Sequence, residues 1–214
     1  MKKITVRHLS KSFKDQKVLK DINLTMEAGN IYGVAGYNGS GKTVLFKCIC
    51  GLLAADQGEI LVDERILRKG EILSAAGVIL EGPAYLKGKS AYSNLSLLYQ
   101  IRNKRNKEHL YEILRQVGLD PHSRKPVGKY SLGMKQRLGI AQAIMEDPPV
   151  LILDEPLNGL DKKGIKEMRE LFLEMKGREK IILMASHNKY DMEFLCDELY
   201  ELEDGRLNRI EKMG

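Results

Sequence analysis

One octapeptide of the chain is dense in glycine: Gly36-Tyr37-Asn38-Gly39-Ser40-Gly41-Lys42-Thr43. It matches the pattern G-x-x-x-x-G-K-[ST], and it has the required context, with an apolar segment (31–35) before it and helical spacing (43–50) after it. Glycines let several backbone N–H groups converge on one phosphate, and the start of a helix adds a positive dipole. We therefore predict that residues 36–43 bind a nucleoside triphosphate.

Two side chains of this octapeptide have separate tasks. Lys42 supplies a positive charge for the β- and γ-phosphates, and the Thr43 hydroxyl is a hard oxygen ligand for Mg²⁺. The alternative, a glycine-rich turn without a ligand, accounts poorly for the flanking strand and helix. The motif by itself leaves kinases, GTPases, helicases and transport ATPases open.

A pair of acids, Asp154 and Glu155, narrows this choice. They directly follow the apolar run 150–153, which predicts a buried strand. Beside the phosphate loop, Asp154 can hold Mg²⁺ through water, and Glu155 can act as the general base for an attacking water. Alone, the pair would be explained equally well as surface acids at a strand end. Together with residues 36–43 it predicts hydrolysis rather than phosphoryl transfer to another molecule.

Length and composition limit the class of protein. The 214 residues are 43% hydrophobic and 30% charged, which suits one compact unit with room for an inserted subdomain. No apolar run approaches the roughly 20 residues of a transmembrane helix, and the N-terminus lacks the apolar region of a signal peptide. We expect an intracellular chain that works at a membrane only through a partner. The net charge of +6 suits phosphate-rich ligands or an anionic membrane surface but specifies neither.

Hydrophobic spacing predicts an α/β fold. Short apolar or alternating segments predict strands at residues 4–9, 21–27, 31–35, 58–62, 77–80, 150–153, 181–185, 197–203 and 206–211. Helical spacing occurs at 93–117, 134–145 and 162–176. The polar run 102–107 predicts a solvated loop or helix face, with contact to anionic headgroups or nucleic-acid phosphates as the alternative. The three cysteines have no disulfide or metal spacing, and we interpret them as small apolar core residues.

A third motif carries a family resemblance. It reads Tyr130-Ser131-Leu132-Gly133-Met134-Lys135-Gln136-Arg137-Leu138, and here the chain resembles the nucleotide-binding domain of ATP-binding cassette (ABC) transporters at their L-S-G-G-Q signature. Ser131 offers a hydroxyl and Gly133 a bare N–H at the start of a predicted helix, which suits a γ-phosphate. The alternative is that Ser131 is only a helix cap.

Other landmarks of that family follow in order. Phe13 matches the aromatic position that stacks on adenine, although it could also be a core strand residue. Leu160-Asp161 looks like the loop that contacts the second subunit, and His187 matches the switch histidine that contacts the γ-phosphate and steadies the attacking water. Three positions depart from the usual pattern. Leu132 replaces a glycine, Tyr37 fills a variable position, and Glu81 replaces a Gln, where we expect its carboxylate to be a Mg²⁺ ligand. Glu81 and the S-L-G-M-K sequence resemble the branch of bacitracin- and lantibiotic-type peptide immunity exporters.

The resemblance implies a complete architecture. It consists of a P-loop NTPase fold with a RecA-like core (1–81 and 141–214), an antiparallel β subdomain and an inserted α-helical signature subdomain (82–140). It also implies ATP and Mg²⁺ as ligands, and a homodimer, or a pairing with a second ABC ATPase, that sandwiches ATP. A separate transmembrane permease would hold the dimer peripherally at the cytoplasmic face of the cell membrane, most simply for export of a peptide or antibiotic-like compound.

Two alternatives remain at this point. The first is a soluble ABC ATPase acting on the ribosome or nucleic acid, which the basic charge would suit. Such relatives carry tandem domains, coiled coils or zinc modules, for which 214 residues leave no room, so we expect no nucleic-acid partner. The second is a nucleotide-binding regulator without turnover, and the presence of both Glu155 and His187 argues against it.

Overall fold

The computed structural model describes residues 1–82 and 84–211 of the chain. Pro83 and residues 212–214, which fall within the predicted helical subdomain and core, lie outside the described residues. The strands are β1 (Lys3–Phe13), β2 (Gln16–Glu27), β3 (Asn30–Ala35), β4 (Gln57–Val62), β5 (Arg65–Ile66), β6 (Ala76–Ile79), β7 (Val150–Asp154), β8 (Ile181–Ala185), β9 (Glu198–Glu203) and β10 (Arg206–Ile210). The helices are α1 (Lys42–Ile49), α2 (Ala91–Tyr99), α3 (Lys107–Gln116), α4 (Leu132–Ile144), α5 (Lys162–Gly177) and α6 (Lys189–Leu195).

A six-stranded sheet forms the centre of the molecule, in the order β10-β9-β3-β8-β7-β6. Strands β9, β3, β8, β7 and β6 pair in parallel, and β10 pairs antiparallel to β9. Ala185 at the end of β8 stands in register with Val34 of β3 on one side and Asp154 of β7 on the other. The segments that follow β3, β7 and β8 therefore leave the sheet at one edge, where parallel sheets commonly bind ligands.

The side chains of β7 and β8 alternate between two cores. Val150 and Ile152 pack with α1 and the strands of a second sheet, whereas Leu151 and Leu153 pack with the helices on the opposite face. This second sheet is four-stranded and antiparallel, in the order β2-β1-β4-β5. The predicted α/β fold with an antiparallel β subdomain is confirmed. The sequence could predict β7 and β8 because a strand that is covered on both faces is a continuous apolar run.

Several boundaries differ from the sequence-based expectation. The helical signal over 93–117 is two helices, α2 and α3, and the polar run 102–107 lies mostly in the loop between them, as predicted. Strand β2 begins at Gln16 rather than at residue 21, and the short elements β5 and α6 were not predicted. The predicted boundary at residue 140 falls inside α4, and the division into core and helical subdomain stays a prediction.

The three cysteines are buried, as their interpretation as apolar core residues requires. Burial raises the pKa of the Cys48 thiol to about 11 and that of the Cys50 thiol to about 12, because the thiolate is poorly solvated there. Within the two described ranges, no helix is both long enough and apolar enough to cross a membrane.

Helix α4 packs directly on β6, and Gly77 makes this approach possible. A Cβ at Gly77 would lie 1.9 Å from the carbonyl oxygen of Ala143. We predict that Gly77→Ala lowers the free energy of unfolding by about 1–3 kcal/mol, because α4 must be pushed off the sheet. The matched control is Gly177→Ala at the end of α5, where no heavy atom lies within 4 Å of the added Cβ.

Urea unfolding of both variants would test this prediction. The control should match the wild type or gain up to about 1 kcal/mol from better helix propensity. Equal midpoints for Gly77→Ala and Gly177→Ala would contradict the packing argument.

Candidate active site

The loop between β3 and α1 is built around left-handed glycines. Gly36, Gly39 and Gly41 have φ values of 153°, 87° and 105°, which side chains other than hydrogen rarely allow. A Cβ at Gly36 would lie 2.6 Å from Ser40 Oγ, and a Cβ at Gly41 would lie 2.9 Å from Val18 Cγ1. By contrast, a Cβ at Gly39 would meet no heavy atom within 4 Å. The outer glycines thus permit the tight turn, and Gly39 leaves the tip of the loop open to a ligand.

Lys42 and Ser40 show that this loop suits a polyanion. Lys42 is 7% exposed, and its Nζ donates to the carbonyl oxygens of Gly36 at 2.7 Å and Tyr37 at 3.1 Å. These two hydrogen bonds hold the positively charged ammonium group inside the loop. Among the residues that the structure describes, the buried Ser40 Oγ has no hydrogen-bond partner. A phosphate oxygen would provide an acceptor for this hydroxyl and a counter-charge for Lys42.

Thr43 and Asp154 form the junction between the loop and the sheet. The Thr43 Oγ1 hydroxyl donates to Asp154 Oδ2 at 2.5 Å, which joins the first turn of α1 to the end of β7. A hydroxyl and a carboxylate are both hard oxygen ligands that suit Mg²⁺. The described part of the chain contains no group of three or more His, Cys, Asp or Glu residues placed to hold a metal. A Mg²⁺ at Thr43 and Asp154 would therefore have water and phosphate oxygens among its other ligands, which is its common mode in nucleotide sites.

Glu155 and His187 are hydrogen-bonded to each other. His187 Nδ1 lies 2.9 Å from Glu155 Oε2. The backbone of Glu155 is left-handed (φ 50°), and its N–H donates to the carbonyl oxygen of Ala185 at 2.9 Å. The His187 side chain is 66% exposed, and one of its ring nitrogens holds the carboxylate. The two residues that the sequence predicts as base and switch form one unit.

A cleft of about 490 Å³ collects most of the predicted site residues. The predicted residues that line it are Phe13, Asn38, Gly39, Gly41, Lys42, Thr43, Glu81, Asp154 and Glu155. Its volume lies in the range of ordinary small-molecule sites. The alternative that Phe13 is a core strand residue is wrong, because Phe13 ends β1 and is 46% exposed at the cleft. An exposed ring at the mouth of a phosphate site suits stacking on a flat base.

Glu81 lines this cleft, but it is paired with a residue that sequence reasoning missed. Its Oε1 accepts a hydrogen bond from Lys47 Nζ at 2.6 Å, and its side chain is 64% exposed. Lys47 follows Thr43 by one turn of α1, so the two residues share a face of that helix. Lys47 therefore compensates the negative charge of Glu81, and the role of Glu81 as a Mg²⁺ ligand stays a prediction.

The signature residues lie elsewhere. Ser131 caps α4, with its Oγ accepting from Met134 N at 3.2 Å, and Asp161 caps α5, with its Oδ1 accepting from Gly164 N at 2.9 Å. Gly133 faces the loop 157–161, since a Cβ there would lie 2.9 Å from the carbonyl oxygen of Gly159. Among the described residues that line the 490 Å³ cleft, Ser131, Gly133 and Asp161 do not occur. Gly133 thus lies beside the loop that ends at Asp161, and none of the three residues lines the cleft with Lys42.

Gln136 makes a second contact that sequence reasoning missed. From α4 its amide nitrogen reaches the backbone that follows β7, at the carbonyl oxygens of Glu155 and Pro156. The signature motif contained this residue, but no sequence pattern gives a contact over nineteen positions.

The fold and the site together define a P-loop nucleoside triphosphatase. The family model described as ABC transporter matches residues 19–158 of the chain. The chain belongs to the ABC transporter family and is an ATP-binding, ATP-hydrolysing subunit of it. The family resemblance expected from the signature motif is thereby confirmed.

Individual relatives agree with this assignment. The chain is 39% identical over 211 residues to the uncharacterized ABC transporter ATP-binding protein YybJ of Bacillus subtilis (strain 168), covering 98% of this chain and 97% of YybJ. It is 40% identical over 207 residues to the bacitracin transport ATP-binding protein BcrA of Bacillus licheniformis, covering 95% of this chain and 68% of BcrA. A solved ATP-binding subunit of an ABC transporter superposes with a TM-score of 0.86 at 28% identity, covering 97% of this chain and 90% of that one. The expected similarity to the bacitracin branch is confirmed by the match to BcrA.

The site makes a direct prediction for Lys42, the only charged residue in the loop 36–43. We expect Lys42→Ala to weaken ATP binding by roughly 10- to 100-fold, since hydrogen bonds to charged groups contribute about 1.5–3 kcal/mol. Titration calorimetry with Mg²⁺ and ATP measures this change. The control is Lys166→Ala on the exposed face of α5, which should bind like the wild type. Wild-type affinity in Lys42→Ala would remove the loop 36–43 from the phosphate site.

Proposed function

We propose that this chain is the ATPase subunit of an exporter of a peptide or antibiotic-like compound, and that it powers a separate membrane permease as an ATP-sandwich dimer. The observation that carries the proposal is the Glu155–His187 hydrogen bond of 2.9 Å, beside the Thr43–Asp154 pair. A carboxylate held by an imidazole beside two side chains that suit Mg²⁺ can act as a general base, which favours hydrolysis over nucleotide binding without turnover.

The residues divide the work as follows. An ionised Glu155 accepts the Nδ1–H of His187 at Oε2, and its Oε1 accepts a proton from the attacking water. Lys42 and the backbone N–H groups of residues 36–43 hold the β- and γ-phosphates. Thr43 and Asp154 would hold Mg²⁺, which neutralises phosphate charge when it is bound. Phe13 orients the nucleotide by stacking on its base.

The position of the signature residues supports the dimer. Ser131 and Gly133 sit at the positive start of α4, which suits a γ-phosphate, but they are not part of this chain's own cleft. A second chain that faces the cleft with its α4 would supply them, and Asp161 would lie at the same interface. A homodimer satisfies this geometry, as does a pairing with a second ABC ATPase.

The permease and the cargo are inferred from the relatives. BcrA is a bacitracin transport ATP-binding protein, and the match covers 95% of this chain. We infer a similar cargo class here, with the dimer bound peripherally at the cytoplasmic face of the membrane. The alternative of a soluble ABC ATPase on the ribosome or nucleic acid is not favoured, because the relatives named above are ABC transporter proteins. Co-purification of the chain with a membrane protein from detergent-solubilised membranes would test the choice.

The role of Glu155 leads to a specific expectation. Glu155→Gln keeps the shape of the side chain but removes the base, so ATP should bind while turnover falls by at least about 100-fold. The variant should elute from size-exclusion chromatography as a long-lived dimer with ATP and as a monomer without it. Unchanged steady-state hydrolysis would remove Glu155 from the role of base. A monomer in the presence of ATP would count against the sandwich.

Glu81 gives a further expectation, as a proposed Mg²⁺ ligand. The cation would compete with Lys47 for this carboxylate, so nucleotide engagement should depend steeply on the Mg²⁺ concentration. Glu81→Gln should keep measurable hydrolysis, flatten the dependence on Mg²⁺ and loosen the coupling to transport. ATPase activity against Mg²⁺ concentration, with transport measured in parallel, tests this.

Two outcomes would contradict the proposal for Glu81. Superimposable Mg²⁺ curves and equal transport would show that glutamate and glutamine do the same work at this position. Complete loss of activity in Glu81→Gln would show that the carboxylate serves the chemistry itself rather than the coupling.

A further inference from the structure

We propose that Gln136 is a positioning residue for the general base, acting on Glu155 through the peptide that follows it. The inference rests on the proposed role of Glu155 and adds a residue to that site. Gln136 itself touches neither the Glu155 carboxylate nor His187 by any hydrogen bond among the described residues. It acts on the backbone only.

The first observation is how the Gln136 amide is used. Its Nε2 donates to the carbonyl oxygen of Glu155 at 3.1 Å and to that of Pro156 at 2.9 Å. A side-chain amide has two N–H donors, and both are accounted for by these two bonds. The two acceptors are consecutive carbonyls, so one planar group sets the orientation of one short stretch of backbone.

The second observation is that this stretch needs outside support. Glu155 has φ 50°, a left-handed conformation that is unfavourable for a residue with a Cβ. Its N–H is held by the carbonyl of Ala185, and its carbonyl also accepts from Asn158 N at 3.2 Å. Pro156 has no N–H to offer, so the carbonyls are the main groups by which the segment after Glu155 can be tied down. Gln136 provides this support by hydrogen bonds from α4.

The third observation is that Gln136 projects from a fixed position on α4. The next residue, Arg137, bonds the carbonyl of Val117 at 2.6 Å and Glu167 at 2.7 Å, which anchors α4 to the end of α3 and to α5. At its start, α4 lies against the loop 157–161 through Gly133. The amide of Gln136 is therefore a rigid support rather than a surface group.

Position of the base matters because general-base catalysis depends on hydrogen-bond reach. The Glu155 carboxylate must meet both His187 and the attacking water within about 3 Å. Release of the carbonyls lets the left-handed peptide relax, which swings the Cα–Cβ bond of Glu155 and moves the carboxylate. Loss of Gln136 should therefore lower the rate of the chemical step and leave nucleotide binding intact.

The test uses Gln136→Met, which matches the side chain in shape and lacks the donors. We expect kcat for ATP to fall about tenfold, with KM within about twofold of the wild type. The matched control is Gln142→Met on the same helix, because Gln142 Nε2 has no hydrogen-bond partner among the described residues. It should keep wild-type kcat. Gln136→Lys restores a donor to the same carbonyls and should recover part of the lost kcat.

A second measurement separates positioning from folding and from binding. In the Glu155→Gln background, adding Gln136→Met should leave the ATP-dependent dimer on size-exclusion chromatography unchanged, since the base is already absent. Loss of that dimer in the double variant would show that Gln136 supports the fold or the nucleotide sandwich instead, and would overturn the proposal.

The failure of this inference differs from the failure of the proposed function. If Glu155→Gln abolishes turnover and Gln136→Met keeps wild-type kcat, the inference is wrong and the role of Glu155 stands. Turnover retained in Glu155→Gln would remove the base itself, and the inference would fall with it.

Discussion

The hydrogen bond between Thr43 and Asp154 is the contact on which the rest of the site depends. It ties the first turn of α1 to the end of β7 at 2.5 Å. The parallel register then places the chain after β8 beside Asp154, because Asp154, Ala185 and Val34 stand in line across three strands. Any displacement of α1 relative to the sheet would separate the phosphate loop from the base. The site is therefore only as precise as the packing of α1 on the sheet.

Charge in the site is balanced locally. The ammonium of Lys42 is held by two loop carbonyls, and the carboxylate of Glu81 is held by Lys47. Glu155 is held at both ends, by His187 at its carboxylate and by Gln136 at its backbone. Each of these three charged side chains thus has a partner within the chain. When the nucleotide binds, these side chains must give up hydrogen bonds within the chain for contacts to the nucleotide. The conformation of the site can therefore change on binding.

Much of the fold and of the site could be predicted from the sequence. The loop 36–43 and the strand end at Asp154 are local patterns, and their chemistry requires those residue types at that spacing. Strands β7 and β8 could be predicted because burial on both faces requires a continuous apolar run. The pairs Glu81–Lys47 and Gln136–Glu155 could not be predicted, since they join segments whose contact depends on the whole sheet. The exposure of Phe13 has the same cause, because nothing in β1 tells a core ring from one at the edge of the cleft.

The central claim is that one ATP is held by the phosphate loop of one chain and the signature helix of another. A structure of the Glu155→Gln variant with Mg²⁺ and ATP tests it most directly. The account predicts a two-fold dimer in which the γ-phosphate lies about 3 Å from Lys42 Nζ of one copy and from Ser131 Oγ of the other. A nucleotide held by Lys42 with no second copy at its γ-phosphate, or with Ser131 of the same chain there, would contradict it.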